Sequence, residues 1–131
     1  FERISHENID MLCELTRETR QATGSTRIKF WKSDVKAAYR RVPIMPEHRW
    51  AAHIVMRVED RLMVARHIAM PFGASGAGSA WDRLGELVAH IIRVALCIPA
   101  LRYVDDFFGC DCEESADHTT SCVKRLIRCL L

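Results

Sequence analysis

The chain has 131 residues, of which 49% are hydrophobic and 27% charged, and a formal net charge of +2. These values suit one domain with a core and exclude disordered or collagen-like sequence. They also exclude a spanning helix: the longest nearly apolar run, residues 88–101, is broken by His90 and Arg93 and falls short of about 20 residues.

In chain order, residues 4–22 place Ile4, Met11, Leu12, Leu15 and Ala22 among charges, which predicts an amphipathic helix with Gly24 near its end. Residues 28–35 read as a strand through Ile28, Phe30 and Trp31, with Asp34 at its exit. Residues 37–40 suit a helical turn, stopped by Pro43 and Pro46. Residues 50–58 alternate, with Trp50, Ala52, Ile54, Met56 and Val58 on one face. Glu59-Asp60 then turns the chain into a returning strand, residues 62–70. Pro71-Phe72-Gly73 breaks that pattern. A helix is expected over 75–96, its stripe formed by Ala77, Ala80, Trp81, Leu84, Leu87, Val88, Ile91, Ile92 and Ala95. After Pro99, residues 101–104 and 107–108 read as short strands around a tight Asp105-Asp106 hairpin. Residues 115–131 close the chain as a helix with Ala116, Val123, Leu126, Ile127 and Leu130 on one face. The fold class is therefore α+β, built on an antiparallel sheet packed on helices.

Charge is unevenly distributed. Residues 27–49 hold seven basic side chains against two acidic ones, and residues 105–117 hold six acidic ones and no basic one. A basic strip beside an acidic knot suits a phosphate-handling metal site, although each alone is an ordinary solvated face. Cys13, Cys97, Cys122 and Cys129 fall among apolar residues, as buried free thiols do. With no signal peptide visible, an intracellular, reducing setting is expected. Cys110, Cys112, His118 and Cys122 are a candidate zinc set, but the first pair is spaced more narrowly than in structural zinc sites. Trp31 and Trp81 are expected in the core. Trp50 and the arginines at 40, 41, 49, 57, 61 and 66 suit either surface or a nucleic-acid backbone.

Two adjacent aspartates repel, and a hard divalent cation removes the conflict. A bare Asp-Asp pair is an ordinary solvated turn. Here strand formers flank it, and Asp34 closes another strand 71 residues before Asp105. If those strands are neighbours, three carboxylates converge, as two-metal phosphoryl transfer requires.

At these residues the chain resembles the reverse transcriptases. Tyr103-Val104-Asp105-Asp106 is similar to their YxDD motif, here YVDD. The run Asp34-Val35-Lys36-Ala37-Ala38-Tyr39-Arg40-Arg41-Val42-Pro43 is similar to their first palm motif. Met70-Pro71-Phe72-Gly73-Ala74 resembles the nucleotide-facing motif that opens their long palm helix. Order and spacing agree across residues 28–109, and the wording is closest to cellular retroelement, retrotransposon-type polymerases. The resemblance implies RNA-directed DNA polymerase activity: a nucleotidyltransferase adding dNTPs to a primer on an RNA or DNA template. Asp34, Asp105 and Asp106, with the Val35 carbonyl, would hold two Mg²⁺ ions, for which Mn²⁺ can substitute. Ala37 and Ala38 would meet the triphosphate through their N–H groups, and Phe72 and Gly73 would pack along the nucleotide. Tyr39 would be the steric gate against a 2′-hydroxyl. Tyr103 and Val104 would lie near the primer terminus.

The resemblance further implies a palm of residues 27–41 and 73–131, with residues 1–26 and 42–72 belonging to the fingers. Phe1 in place of Met, and an amphipathic pattern running to Leu131, suggest a fragment of a longer polyprotein that carries the missing fingers and thumb. No membrane partner is expected. The alternative reading is a non-catalytic, polymerase-like remnant that binds nucleic acid or protein.

Overall fold

The computed structural model describes residues 4–131, so Phe1, Glu2 and Arg3 of the segment assigned above to the fingers lie outside the described residues. The described chain forms two compact units. One comprises the residues up to Lys36 together with Asp82–Leu131, and the other is Ala37–Trp81.

The first unit is a three-stranded antiparallel sheet with helices on both faces. Its strands are β1 (Ile28–Asp34), β4 (Leu101–Tyr103) and β5 (Asp106–Cys112), in the order β1-β5-β4. Strand alternation gives the sheet two distinct faces. Trp31, Ser33, Arg102, Phe107 and Gly109 form a buried back face. Helix α3 (Glu113–Leu130) lies on it, with Lys29 Nζ 2.7 Å from Asp117 and Thr119 Oγ1 2.5 Å from Asp111. Helix α2 (Ala77–Ala95) meets the same face through Arg102, whose Nη2 lies 2.5 Å from Asp82.

The front face carries Lys32, Asp34, Tyr103, Asp106, Phe108 and Cys110. Helix α1 (Ile9–Thr23) covers only its far end, where Thr16 and Thr19 reach the Cys110 thiol at 3.7 and 3.5 Å. Helix α1 starts five residues later than expected. The Asn8 side chain accepts from the Met11 N–H at 3.1 Å and fixes the N-terminus there. Left-handed Gly24 ends it, donating to the Arg20 carbonyl.

The second unit is a β-hairpin, β2 (His53–Val58) and β3 (Arg61–Arg66), preceded by two short 3₁₀ helices, Ala38–Arg41 and Pro46–Ala51. Glu59 and Asp60 both have positive φ, as a two-residue type I′ turn requires. Residues 42–44 pair with residues 68–70: Ile44 N–H donates to the Ile68 carbonyl and Met70 N–H to the Val42 carbonyl, each at 2.9 Å.

Several expectations are corrected. Trp50 is not in a strand. Pro46, with its fixed φ, opens a 3₁₀ helix that includes Trp50 and leaves it exposed. The alternation over 50–58 does not mark a buried face, because every residue of β2 is exposed. Strand β3 ends at Arg66 instead of Met70, and β5 runs to Cys112 because β1 supplies a pairing partner along its whole length. Leu87 and Ala95 are exposed although they fall in the α2 stripe. Cys13, Cys97 and Cys129 are exposed, not buried; among the apolar-flanked thiols only Cys122 is half-buried. Trp31 and Trp81 are buried as expected. Among the described residues, no helix is long and apolar enough to cross a membrane.

Candidate functional site

The pairing of β1 with β5 sets the candidate site. Asp34 at the end of β1 lies directly opposite Asp106 at the start of β5. Residues opposed in an antiparallel pair share a face with their Cβ atoms about 5 Å apart. Beyond that pair the lacing continues: Val35 N–H donates to the Asp105 carbonyl at 3.1 Å. Asp34-Val35 and Asp105-Asp106 are thus held together at one end of the sheet.

Asp105 sits in the two-residue turn between β4 and β5, after Val104. Val104 has φ +54°, a left-handed backbone that a β-branched residue rarely adopts, at a cost of about 1–3 kcal/mol. An ion cluster centred on the buried Arg102 holds the turn. Arg102, 4% exposed, donates from Nη1 to the Val104 carbonyl at 2.9 Å and from Nη2 to Asp82. Glu7 accepts the Arg102 backbone N–H, and its other oxygen lies 2.6 Å from Arg93 Nη2. Tyr103 and Val104, the positions for which the resemblance implies a place near a primer terminus, are therefore anchored through Arg102. Tyr103 is exposed and its ring packs against His6, centroid to centroid 5.0 Å. A cleft of about 380 Å³ opens beside them, lined by His6, Glu7, Asn8, Ile9, Tyr103 and Phe108.

Lys32 brings a positive charge to this end of the sheet. It lies two residues before Asp34 on the same strand face, and its Nζ is 2.7 Å from Asp106 Oδ2. Its pKa is raised above the ordinary lysine value, first by the hydrogen bond to Asp106, with the charges of Asp106, Asp34 and Asp105 adding to it. Among the described residues, no three His, Cys, Asp or Glu side chains already stand as a ready metal cluster. The donor set nevertheless suits a hard divalent ion. It offers carboxylate oxygens from three residues within one hydrogen-bonded span, and a cationic group is already seated on one of them.

The remaining candidates lie in the second unit. Tyr39 is half-buried and meets Phe72 edge-to-face, ring centroids 4.9 Å apart. The pairing of 42–44 with 68–70 draws these rings together from 33 positions apart. Ala37 is left-handed, with φ +57°, and precedes the turn Ala38–Arg41, in which Ala38 is buried. Such alternation of backbone handedness lets successive N–H groups converge on an anion. Gly73 is exposed with φ +83°, a value that glycine adopts without strain.

The zinc candidates do not come together as four. Cys110 is buried against Thr16 and Thr19, and the Cys112 thiol lies 2.9 Å from Ser115 Oγ. Only His118 and Cys122 meet, 3.5 Å apart on successive turns of α3.

Sequence reasoning missed Lys32, Arg102 and Glu7 as parts of this site. Lys32 was legible in principle, since a period of two puts it beside Asp34. Glu7 and Arg102 are 95 residues apart, and no local pattern joins them. Comparison with protein-family models and with curated proteins returns no match for this chain.

Proposed function

We propose that this chain carries a reverse transcriptase-type active site, which adds deoxynucleotides to a primer 3′-hydroxyl as a nucleic-acid template directs. The observation that carries the reading is the register of Asp34 opposite Asp106, beside the tight turn that holds Asp105. Motif order in the sequence suggests this constellation, and strand pairing brings its two halves together from 72 positions apart. A three-stranded antiparallel sheet with α2 and α3 on one face and carboxylates at the end of the other fits a polymerase palm.

Asp34, Asp105 and Asp106, with the Val35 carbonyl, would hold two divalent ions. When bound, such ions lower the pKa of the attacking hydroxyl and stabilise charge on the triphosphate. The chain's own groups do the rest. Ala37 and Ala38 offer N–H groups to phosphate oxygens. Tyr39, whose ring meets that of Phe72, would act as the steric gate against a ribonucleotide 2′-hydroxyl. The Val104 turn, held by Arg102, would present Tyr103 and Val104 to the primer end. An RNA or DNA template–primer and dNTPs are the partners, and the setting is intracellular.

The test is Mg²⁺-dependent dNTP incorporation on a primed RNA template by the polypeptide that carries these residues. Asp105→Asn should lower incorporation roughly 100- to 1,000-fold with the fold retained by circular dichroism. Undiminished incorporation in that variant would sink the reading. Nucleic-acid binding without Mg²⁺-dependent incorporation in the unaltered protein would favour the non-catalytic alternative.

A further inference from the structure

We infer that Lys32 is a built-in counter-ion of the carboxylate cluster, which a divalent cation must displace in order to bind. The inference rests on the metal-site reading above and adds to it a residue that sets the site's affinity.

Geometry carries the argument. Lys32 and Asp34 are two residues apart on one face of β1, about 6.6 Å along the strand. Asp106 stands opposite Asp34 on β5. The lysine stem spans that step, and its ammonium lands 2.7 Å from Asp106 Oδ2. Lys29, on the opposite face of the sheet, pairs with Asp117 at 2.7 Å, and Arg27, before β1, pairs with Glu113 at 2.5 Å, both partners on α3.

Two consequences follow from charge. Without metal, Asp34, Asp105 and Asp106 repel one another, and the Lys32 ammonium partly offsets that repulsion. With metal, the ammonium competes for Asp106 and repels the incoming cation. The Lys32 side chain is 63% exposed, so the pair is weak enough for a divalent ion to break. Lys32 thus offsets part of the charge of the resting cluster and weakens metal binding.

The test is Mn²⁺ binding to the purified chain, measured by calorimetry and by loss of the free-ion electron paramagnetic resonance signal. Lys32→Met should bind Mn²⁺ about fivefold more tightly than the unaltered protein. Lys32→Arg keeps the charge and should stay within about twofold of it. The gain in Lys32→Met should shrink between about 0.05 and 0.5 M salt, as screening weakens the ammonium's influence. Equal or weaker binding in Lys32→Met, or equal tightening in Lys32→Arg, overturns the inference while leaving the metal site standing. Binding that Asp105→Asn does not diminish overturns the metal site itself, and the inference with it.

Discussion

Asp106 and Asp111 begin and nearly end the same strand, and their partners give them different chemistry. Asp106 faces the ammonium of Lys32, a largely exposed partner. Asp111 faces fixed donors: the Cys112 N–H at 2.7 Å and Thr119 Oγ1 at 2.5 Å. Desolvation pushes the Asp111 carboxyl up. The hydrogen bonds from Thr119, Ser115 and Cys112 together outweigh it, and the pKa falls below the ordinary 3.8. A carboxylate with a depressed folded pKa stabilises the fold above its unfolded value and loses that contribution as pH falls through the folded one. The stability difference between the unaltered protein and Asp111→Asn should therefore be constant above the ordinary carboxylate range. It should shrink as pH drops below that range. Urea melts at a series of pH values measure it, and a difference that grows toward acid would contradict the assignment. Residues of this kind divide sharply in how legible they are. Asp34, Asp105, Asp106, Tyr39 and Phe72 can be read from motif order. The ion cluster of Glu7, Arg93, Asp82 and Arg102 cannot, because its members meet only once the strand β4 is seated between distant segments.

Helices and strands were legible where burial enforces the pattern. Helix α2 keeps Ala77, Trp81, Val88 and Ile92 inside as its stripe predicts, and α3 keeps Ala116, Val123 and Ile127. Where burial is absent, the pattern misleads: β2 alternates in sequence but has no buried residue. Gly109 shows the opposite case, a single residue whose meaning appears only in the sheet. It pairs with Trp31, whose ring lies across it. A Cβ at Gly109 would come 2.7 Å from the Pro99 carbonyl oxygen and 2.8 Å from Trp31 Cζ2. The first of these is backbone and cannot swing aside. Glycine in this strand interior thus provides room for a buried indole. Gly109→Ala should destabilise the chain by roughly 1–3 kcal/mol despite the better strand propensity of alanine. A lowered urea midpoint checks this, and an unchanged midpoint would show that Trp31 does not pack as described.

Across the whole molecule, the order helix, strand, hairpin, helix, hairpin, helix was legible, and it gives α+β with antiparallel sheets. The division into two units was not, because it depends on which strands find partners and which faces are covered. In the unit containing β1, β4 and β5, helices lie on both faces of the sheet, and Phe107 at its centre has no exposure. In the unit Ala37–Trp81, β2 and β3 pair only with each other, and Val55, Leu62 and Val64 are each more than 60% exposed. Two-stranded hairpins without a covered face are marginally stable in water. Backbone hydrogen bonds that lack buried side chains above them open locally at little cost, whereas those beneath a packed core open only with the whole unit. Amide hydrogen exchange at neutral pH should therefore reach the β2–β3 pairs first. The amides of Trp31, Ser33, Phe107 and Gly109 should exchange at least about 100-fold more slowly. Equal protection of the two sheets would mean that a further surface covers the hairpin, and the exposed row Val55, Leu62 and Val64 would then be its contact. A slow sheet and a fast hairpin would show that the carboxylates stand on the rigid element, as a site that positions reacting atoms requires.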